Sequence, residues 1–241
     1  MFLYKYLPLR EGGKYDWDNI VSILCESKIR FSYLVALNDP FEAFAIHKSK
    51  SKKNLLKLLE AREKSILCLS KTKDNILMWS HYCSGHSGVV IQFDTKKCSL
   101  IGSAKKIEYV KNISTNLSNN KILSRKSLAW SYENEYRVIK KKNYFSSDYY
   151  GESVEFNKAA ISAIYLGKSV DFIKANIILV KAKELNIPCY IFDKIDSSFK
   201  MHFKILKSAN DLSRLMRIDA LKQISKKHSV GQLWANKFKK P

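Results

Sequence analysis

No stretch of this chain approaches the run of roughly 20 apolar residues that a membrane-spanning helix needs. The opening M-F-L-Y-K-Y-L-P-L-R has neither the charged n-region nor the small-residue cleavage site of a secretory signal. A cytoplasmic protein with no membrane partner is the expectation. Cysteine is scarce: Cys25, Cys68, Cys83, Cys98 and Cys189 are odd in number and lack a C-x-x-C pair. That pattern fits reduced thiols rather than a disulfide framework. A phosphate loop is missing too, because Gly12-Gly13 and Gly85…Gly88 lack both the Lys-Ser/Thr and the strand-loop-helix setting. Nucleoside triphosphate hydrolysis is therefore not expected. Nor is there an internal repeat or a Gly/Pro/Ser linker. The chain reads as one catalytic-like α+β domain over 1–200, followed by a basic helical extension over 201–241 that is packed on it or partly mobile.

Acidic residues and arginine are both in short supply. Lys and Arg total 43 against 22 Asp and Glu, giving a formal charge of +21 and a pI near 9.7. Only seven of the 43 are arginine, at 10, 30, 62, 125, 137, 214 and 217. Lysine neutralises phosphate as a point charge but lacks the bidentate fork that reads base edges. With no helix-turn-helix or zinc-finger spacing, sequence-specific DNA reading is not expected. Attraction to nucleic acid or another phosphate-rich target is, although lysine bias also arises in AT-rich genomes. From Lys200 onward there are 11 basic and two acidic residues, either a nucleic-acid arm or a solvated end.

What is present is a 46% hydrophobic, 12% aromatic chain, the composition of a folded globule. Alternation and β-branched or aromatic runs predict strands at 2–7, 29–32, 66–70, 88–94, 104–110, 135–140, 163–166, 189–192 and, more weakly, 201–206. Helical spacing predicts helices at 19–25 (capped by Asp16 or Asp18), 47–64, 76–82, 121–128, 170–184 and 209–227. Pro40 makes 38–42 a turn.

Three polar segments stand out from this scaffold. In W-S-Y-E-N-E-Y-R at 130–137, an extended backbone would put Glu133 and Glu135 on one face with Arg137. Like charges that close raise each other's pKa unless a cation intervenes, so the group suits acid/base work, a metal, a sugar hydroxyl, or merely a solvated edge strand. In M-W-S-H-Y at 78–82, His81 has a free pKa suited to proton transfer, and Trp79 and Tyr82 are potential stacking surfaces. Trp79 taken alone reads as a core residue. His81, Cys83 and His86 match no zinc spacing, and no resident metal is expected. In N-D-P-F-E at 38–42, Asn38, Asp39 and Glu42 sit on a constrained turn anchored by Phe41. All three segments are expected to converge on one site.

Taken in order, L-Y-K-Y, I-x-F-S, L-N-D-P-F-E, L-C-L-S, M-W-S-H-Y with G-V-V-I-x-F-D, and W-x-Y-E-x-E-Y-R resemble the bacterial "domain of unknown function 2971" family over about residues 3–167. That family is associated with abortive infection and toxin-type conflict systems. It is distantly similar to ADP-ribosyltransferases, which implies a mixed or antiparallel split β-sheet flanked by helices, with NAD bound in the split as substrate. The resemblance places Tyr4, Lys5 and Tyr6 at the first element of that site, and Ser70 and Trp79 to Tyr82 near the second. Glu133 or Glu135 falls at the third, with Arg137 beside it. Glu135 would stabilise an oxocarbenium-like transition state. Glu133 and His81 are the other catalytic candidates, and Asn38, Asp39, Phe41, Glu42 and Trp130 are supporting ones. Lys5 departs from the His or Arg common in that fold. The implied role is a defence or toxin effector with a possible antitoxin or other protein partner. Two alternatives remain open: a metal-dependent nuclease using Asp39, Glu42, Glu133 and Glu135, and a non-catalytic nucleic-acid- or partner-binding subunit.

Overall fold

The computed structural model describes residues 1–10, 14–39, 56, 59–112, 123–146 and 148–215. Most of the helix expected at 47–64, residues 40–42 of the 38–42 turn, and the extension beyond 215 lie outside that set; residues 59–62 and 209–215 are helical.

Apolar alternation builds the framework. Strands β1 (Phe2–Leu7), β2 (Lys28–Tyr33), β3 (Lys64–Ser70) and β4 (Val89–Asp94) are followed by the short β5 (Lys105–Lys106), β6 (Glu108–Val110) and β7 (Arg125–Ser127). Then come β8 (Glu135–Lys141), β9 (Gly151–Glu155), β10 (Ile161–Leu166), β11 (Cys189–Ile195) and β12 (Met201–Ile205). Ten of these form one mixed sheet in the order β12-β11-β10-β4-β1-β3-β2-β9, with β8 paired to β3 and β5 to β8. Within it β10 and β11 run parallel, joined through the Phe172–Glu184 helix, which buries Ala175, Ile178, Leu179 and Ala182. Strands β6 and β7 form a separate parallel pair.

The sheet forks at β3. One edge of β3 carries β8 along its whole length, from Lys64 opposite Lys141 to Ser70 opposite Glu135. A strand has only two edges, and the other edge is shared: Ser70 pairs with Tyr4 of β1, while Ser65 and Ile66 pair with Tyr33 and Ser32 of β2. Between those points β1 and β2 part, and Leu67 to Leu69 face the opening.

One face of the sheet buries Leu3, Leu7, Leu67, Leu69, Ile91 and Phe93 in the main core, against the Lys14–Val21 helix and the π-helical turn Ser22–Glu26 that continues it. The opposite face carries a smaller aromatic core around Tyr6, Trp79, Val90 and Tyr165. At about 25 cal/mol per Å² of apolar surface removed from water, these two layers dominate the stabilisation. Among the described residues, no helix is long and apolar enough to cross a membrane.

Several sequence expectations are corrected. The first helix starts at Lys14, so Asp16 lies inside it and gives its carboxylate to Arg10 at 2.8 Å instead of acting as a cap. The strand expected over 104–110 is broken at buried Ile107, whose N–H leaves the ladder to donate to Glu135 O. The helix expected at 121–128 is replaced by β7 and a 3₁₀ turn at Leu128–Glu133; the Ser127 hydroxyl accepts from Ala129 N and starts that turn.

Candidate functional site

The extended reading of residues 130–137 fails before Glu135. Leu128–Glu133 is 3₁₀, Asn134 is left-handed at φ 44°, and Glu135 is the first residue of β8. Asn tolerates that conformation because its short polar side chain pairs locally. The turn still delivers both carboxylates to one place, by a different route: Lys126 of β7 holds Glu133 Oε2 at 2.7 Å and Glu135 Oε2 at 3.7 Å. Arg137 clamps Glu135 with Nε at 2.7 Å and Nη2 at 3.0 Å, and spends a further N–H on Leu123 O. All four side chains are buried. Two carboxylates here are matched by two cations, the condition under which buried charge is tolerated.

The three signature segments meet at Tyr82, in part. Its hydroxyl donates a short hydrogen bond to Glu133 Oε1, and the Asn38 side chain touches the same hydroxyl. Asp39 is buried next to Asn38 in sequence. Phe41 and Glu42 lie outside the described residues. Ser70 locks the backbone of the site, donating to Glu133 O at 2.6 Å while accepting from Thr72 N.

The environments of the two carboxylates differ. Burial raises the Glu133 pKa, and Lys126 and Tyr82 only partly offset it. Burial pushes Glu135 upward too, but the Arg137 guanidinium and Lys126 outweigh it and hold Glu135 below the usual range. The pair is thus asymmetric, with Glu133 holding a proton more readily than Glu135. Burial also raises the Tyr82 hydroxyl and the Cys68 thiol, Cys68 standing beside Glu135.

Lys5 enters at the fork, where its ammonium donates to Cys68 O at 3.2 Å and bridges the stretch of β3 that neither β1 nor β2 pairs. Burial lowers its pKa, neighbouring Cys68 and the Glu135 carboxylate push back, and Arg30 adds to the lowering. Arg30, on β2, is itself paired with Asp148. The rim is aromatic: His81 is exposed and lies 6.0 Å from the Tyr132 ring, Tyr132 lies 6.0 Å from Trp130, and Lys126 sits 4.6 Å above Trp130.

Trp79 and Tyr6, both expected at the site, are not in this group. Trp79 is 0% exposed, donates its indole N–H to Lys73 O at 2.7 Å, and packs against Tyr6 and Phe203. Tyr6 is buried beside it, with its hydroxyl on Thr72 O. Both belong to the aromatic core, so neither offers a free face to a ligand. Tyr4 is half-buried against Tyr165. Sequence reasoning missed Lys126 and Cys68. The signal for Lys126 was available, since two buried acids with Arg137 alone leave one negative charge unmatched. Among the described residues no group of three His, Cys, Asp or Glu side chains is placed to hold a metal ion.

Residues 78–114, from the M-W-S-H-Y helix through β4 to just beyond β6, match the family model described as "Protein of unknown function (DUF2971)". The match supports that family over this segment of the wider resemblance. No curated protein and no solved structure matches the chain.

Proposed function

We propose that the chain is an ADP-ribosyltransferase-like enzyme that uses NAD as substrate, a defence or toxin effector in bacterial or phage conflict acting on a nucleic acid or a nucleic-acid-associated target. The observation that carries the reading is the carboxylate pair with opposed pKa directions beside the fork of the sheet, with Lys5 at the opening. Cleaving the nicotinamide glycosidic bond builds positive charge on the ribose, and a carboxylate that stays ionised stabilises it. Glu135 is suited to that task. Glu133, with the higher pKa and the Tyr82 hydrogen bond, is suited to orient an acceptor and take its proton. Lys5 has a carbonyl rather than a carboxylate as its hydrogen-bond partner, which leaves its charge for a phosphate. Stacking falls to the rim of exposed His81 and half-buried Tyr132 and Trp130.

One observation favours a second reading, a non-catalytic binding subunit: Glu135 is already clamped by Arg137, and a carboxylate so matched has less charge to give a transition state. The metal-dependent nuclease is disfavoured, because Mg²⁺ would have to displace Lys126 from both carboxylates and Arg137 from Glu135.

Incubation with NAD labelled on the nicotinamide decides between them. Release is expected with the wild type, with a loss of at least about 100-fold in Glu135→Gln. Because that variant strains the Arg137 clamp, Lys5→Met serves beside it and should raise KM for NAD. No release with protein or nucleic-acid acceptors overturns the transferase reading in favour of the binding subunit. Strand cleavage that needs Mg²⁺ overturns it in favour of the nuclease.

A further inference from the structure

The connection from β8 to β9 leaves four aromatic rings in water. Tyr144 is 58% exposed, Phe145 97%, Tyr149 76% and Tyr150 56%. Isolated exposed apolar side chains are ordinary, but four on one connection, with Tyr149 and Tyr150 in edge-to-face contact at 5.0 Å, form a patch. The connection is tied to the sheet. Tyr33 N donates to Tyr150 O, and the Ser146 hydroxyl donates to Gly151 O, so the rings are displayed from a fixed base.

Charge around the patch is mostly basic. Asp148 is matched by Arg30 and Glu152 by Lys140 at 3.1 Å, and Glu63, whose carbonyl accepts from Lys142 N, is the further acid beside the lysines. Lys64 and Lys141 stand directly opposite each other across β3 and β8 and so share one face of the sheet, an arrangement that disfavours the unliganded pairing. Lys142 follows, 4.0 Å above the Tyr33 ring.

We infer that this surface binds single-stranded nucleic acid, with the exposed rings stacking on unpaired bases and Lys64, Lys141 and Lys142 taking the phosphates. Interleaved rings and cations are the composition of a single-strand platform, whereas the centres of protein interfaces are depleted in lysine. With Arg30 held by Asp148, the remaining cations are lysines, which give backbone attraction without base reading, so the binding is tolerant of sequence. The inference deepens the proposed function by naming how a nucleic-acid target is held. It rests on that reading only for the target's chemistry.

The test is fluorescence anisotropy of a labelled single-stranded oligonucleotide of about 12 nucleotides, titrated without NAD at several salt concentrations. Phe145→Ala and Tyr149→Ala should each weaken binding about 5- to 100-fold, the loss of one stacked base. Lys141→Ala and Lys142→Ala should each reduce the slope of log K against log salt by about 0.7. Duplex of the same sequence should bind more weakly. Wild-type affinity in the aromatic variants, or duplex bound as tightly as single strand, overturns the inference. So does an aromatic-dependent complex with a protein but not with the oligonucleotide. Lys5→Met separates the two proposals, because it should impair NAD turnover while leaving oligonucleotide affinity unchanged.

Discussion

Lys126→Ala is the perturbation that reads the buried charge network most directly. Lys126 has a side chain only 5% exposed and serves two carboxylates, Glu133 at 2.7 Å and Glu135 at 3.7 Å. Arg137 still covers Glu135 in the variant, but Glu133 keeps only the Tyr82 hydroxyl as a side-chain donor. Removing one partner of a buried pair leaves an uncompensated charge and costs about 3–5 kcal/mol. For a chain of this size that corresponds to a melting transition lower by about 6–20 °C. The pH dependence gives a sharper check. With its cation gone, the Glu133 pKa climbs above its already raised value, while the unfolded carboxyl titrates near 4.5. A folded state that holds the proton more tightly gains stability as pH falls through the folded pKa towards the unfolded one, so the deficit is greatest at neutral pH and shrinks on acidification. Glu135 works in the other direction. Its lowered pKa contributes stability above 4.5 that is lost as pH falls through the folded value, so the wild type weakens where the variant recovers. The double variant Lys126→Met with Glu133→Gln removes both charges and should recover much of the loss. Thermal unfolding of the three proteins from neutral to acid pH is the assay. A deficit below about 1 kcal/mol that does not change with pH would refute the reasoning, since that is the behaviour of a solvent-screened pair.

Two further predictions concern the scaffold. Gly88→Ala places a Cβ 2.2 Å from Leu7 O and 2.8 Å from Cys83 Cα, both rigid backbone, and should cost at least about 3 kcal/mol. Gly85→Ala, in open space at φ +61°, should cost only about 1–2 kcal/mol, and equal melting temperatures for the two would contradict the close packing at Gly88. Asp16 accepts from Arg10 N, Nε and Nη2, which hold its carboxyl below the ordinary 3.8. The pairing stabilises above that value and is lost as pH falls through the lower folded pKa. Because the Arg10 side chain is 67% exposed, Asp16→Asn should cost only about 1 kcal/mol at neutral pH, less in high salt, with the difference vanishing in acid.

Much of the framework was legible because hydrophobic alternation and burial agree. β1, β2, β3, β4, β10 and β11 fall within a few residues of the expected ranges. β9 was not expected, since Gly151-Glu152-Ser153-Val154-Glu155 has almost no apolar alternation. It is a strand because it lies against β2 over five residue pairs, and because Glu152 has Lys140 as partner. Those are long-range causes that no local window carries. The 3₁₀ turn over 128–133 was hidden for a related reason. Its apolar residues suit a helix or a strand equally, and the decision rests on the Ser127 hydrogen bond at one end and the left-handed Asn134 at the other. The convergence of Asn38, Tyr82 and Glu133 was foreseen from polar density alone. Trp79 taken alone reads as a core residue, as it is, but the core role of Tyr6 was not expected, because its hydroxyl is satisfied inside the protein by the Thr72 carbonyl, which composition does not reveal.

The fork and the charge network have a common cause. Because β8 takes one full edge of β3 and the other edge is divided, the β3 backbone between Ser70 and Ile66 lacks a strand partner. Cys68 O needs a donor there, and Lys5 supplies one from β1. A lysine in that role brings a charge into partly buried surroundings, and its lowered pKa records the cost. Glu135 stands near enough to oppose that lowering, but Arg137 and Lys126 already match it. Arg30, which adds to the lowering, is held by Asp148. On the proposed reading, an anion arriving at this opening would relieve an electrostatic cost that the fold itself imposes on Lys5.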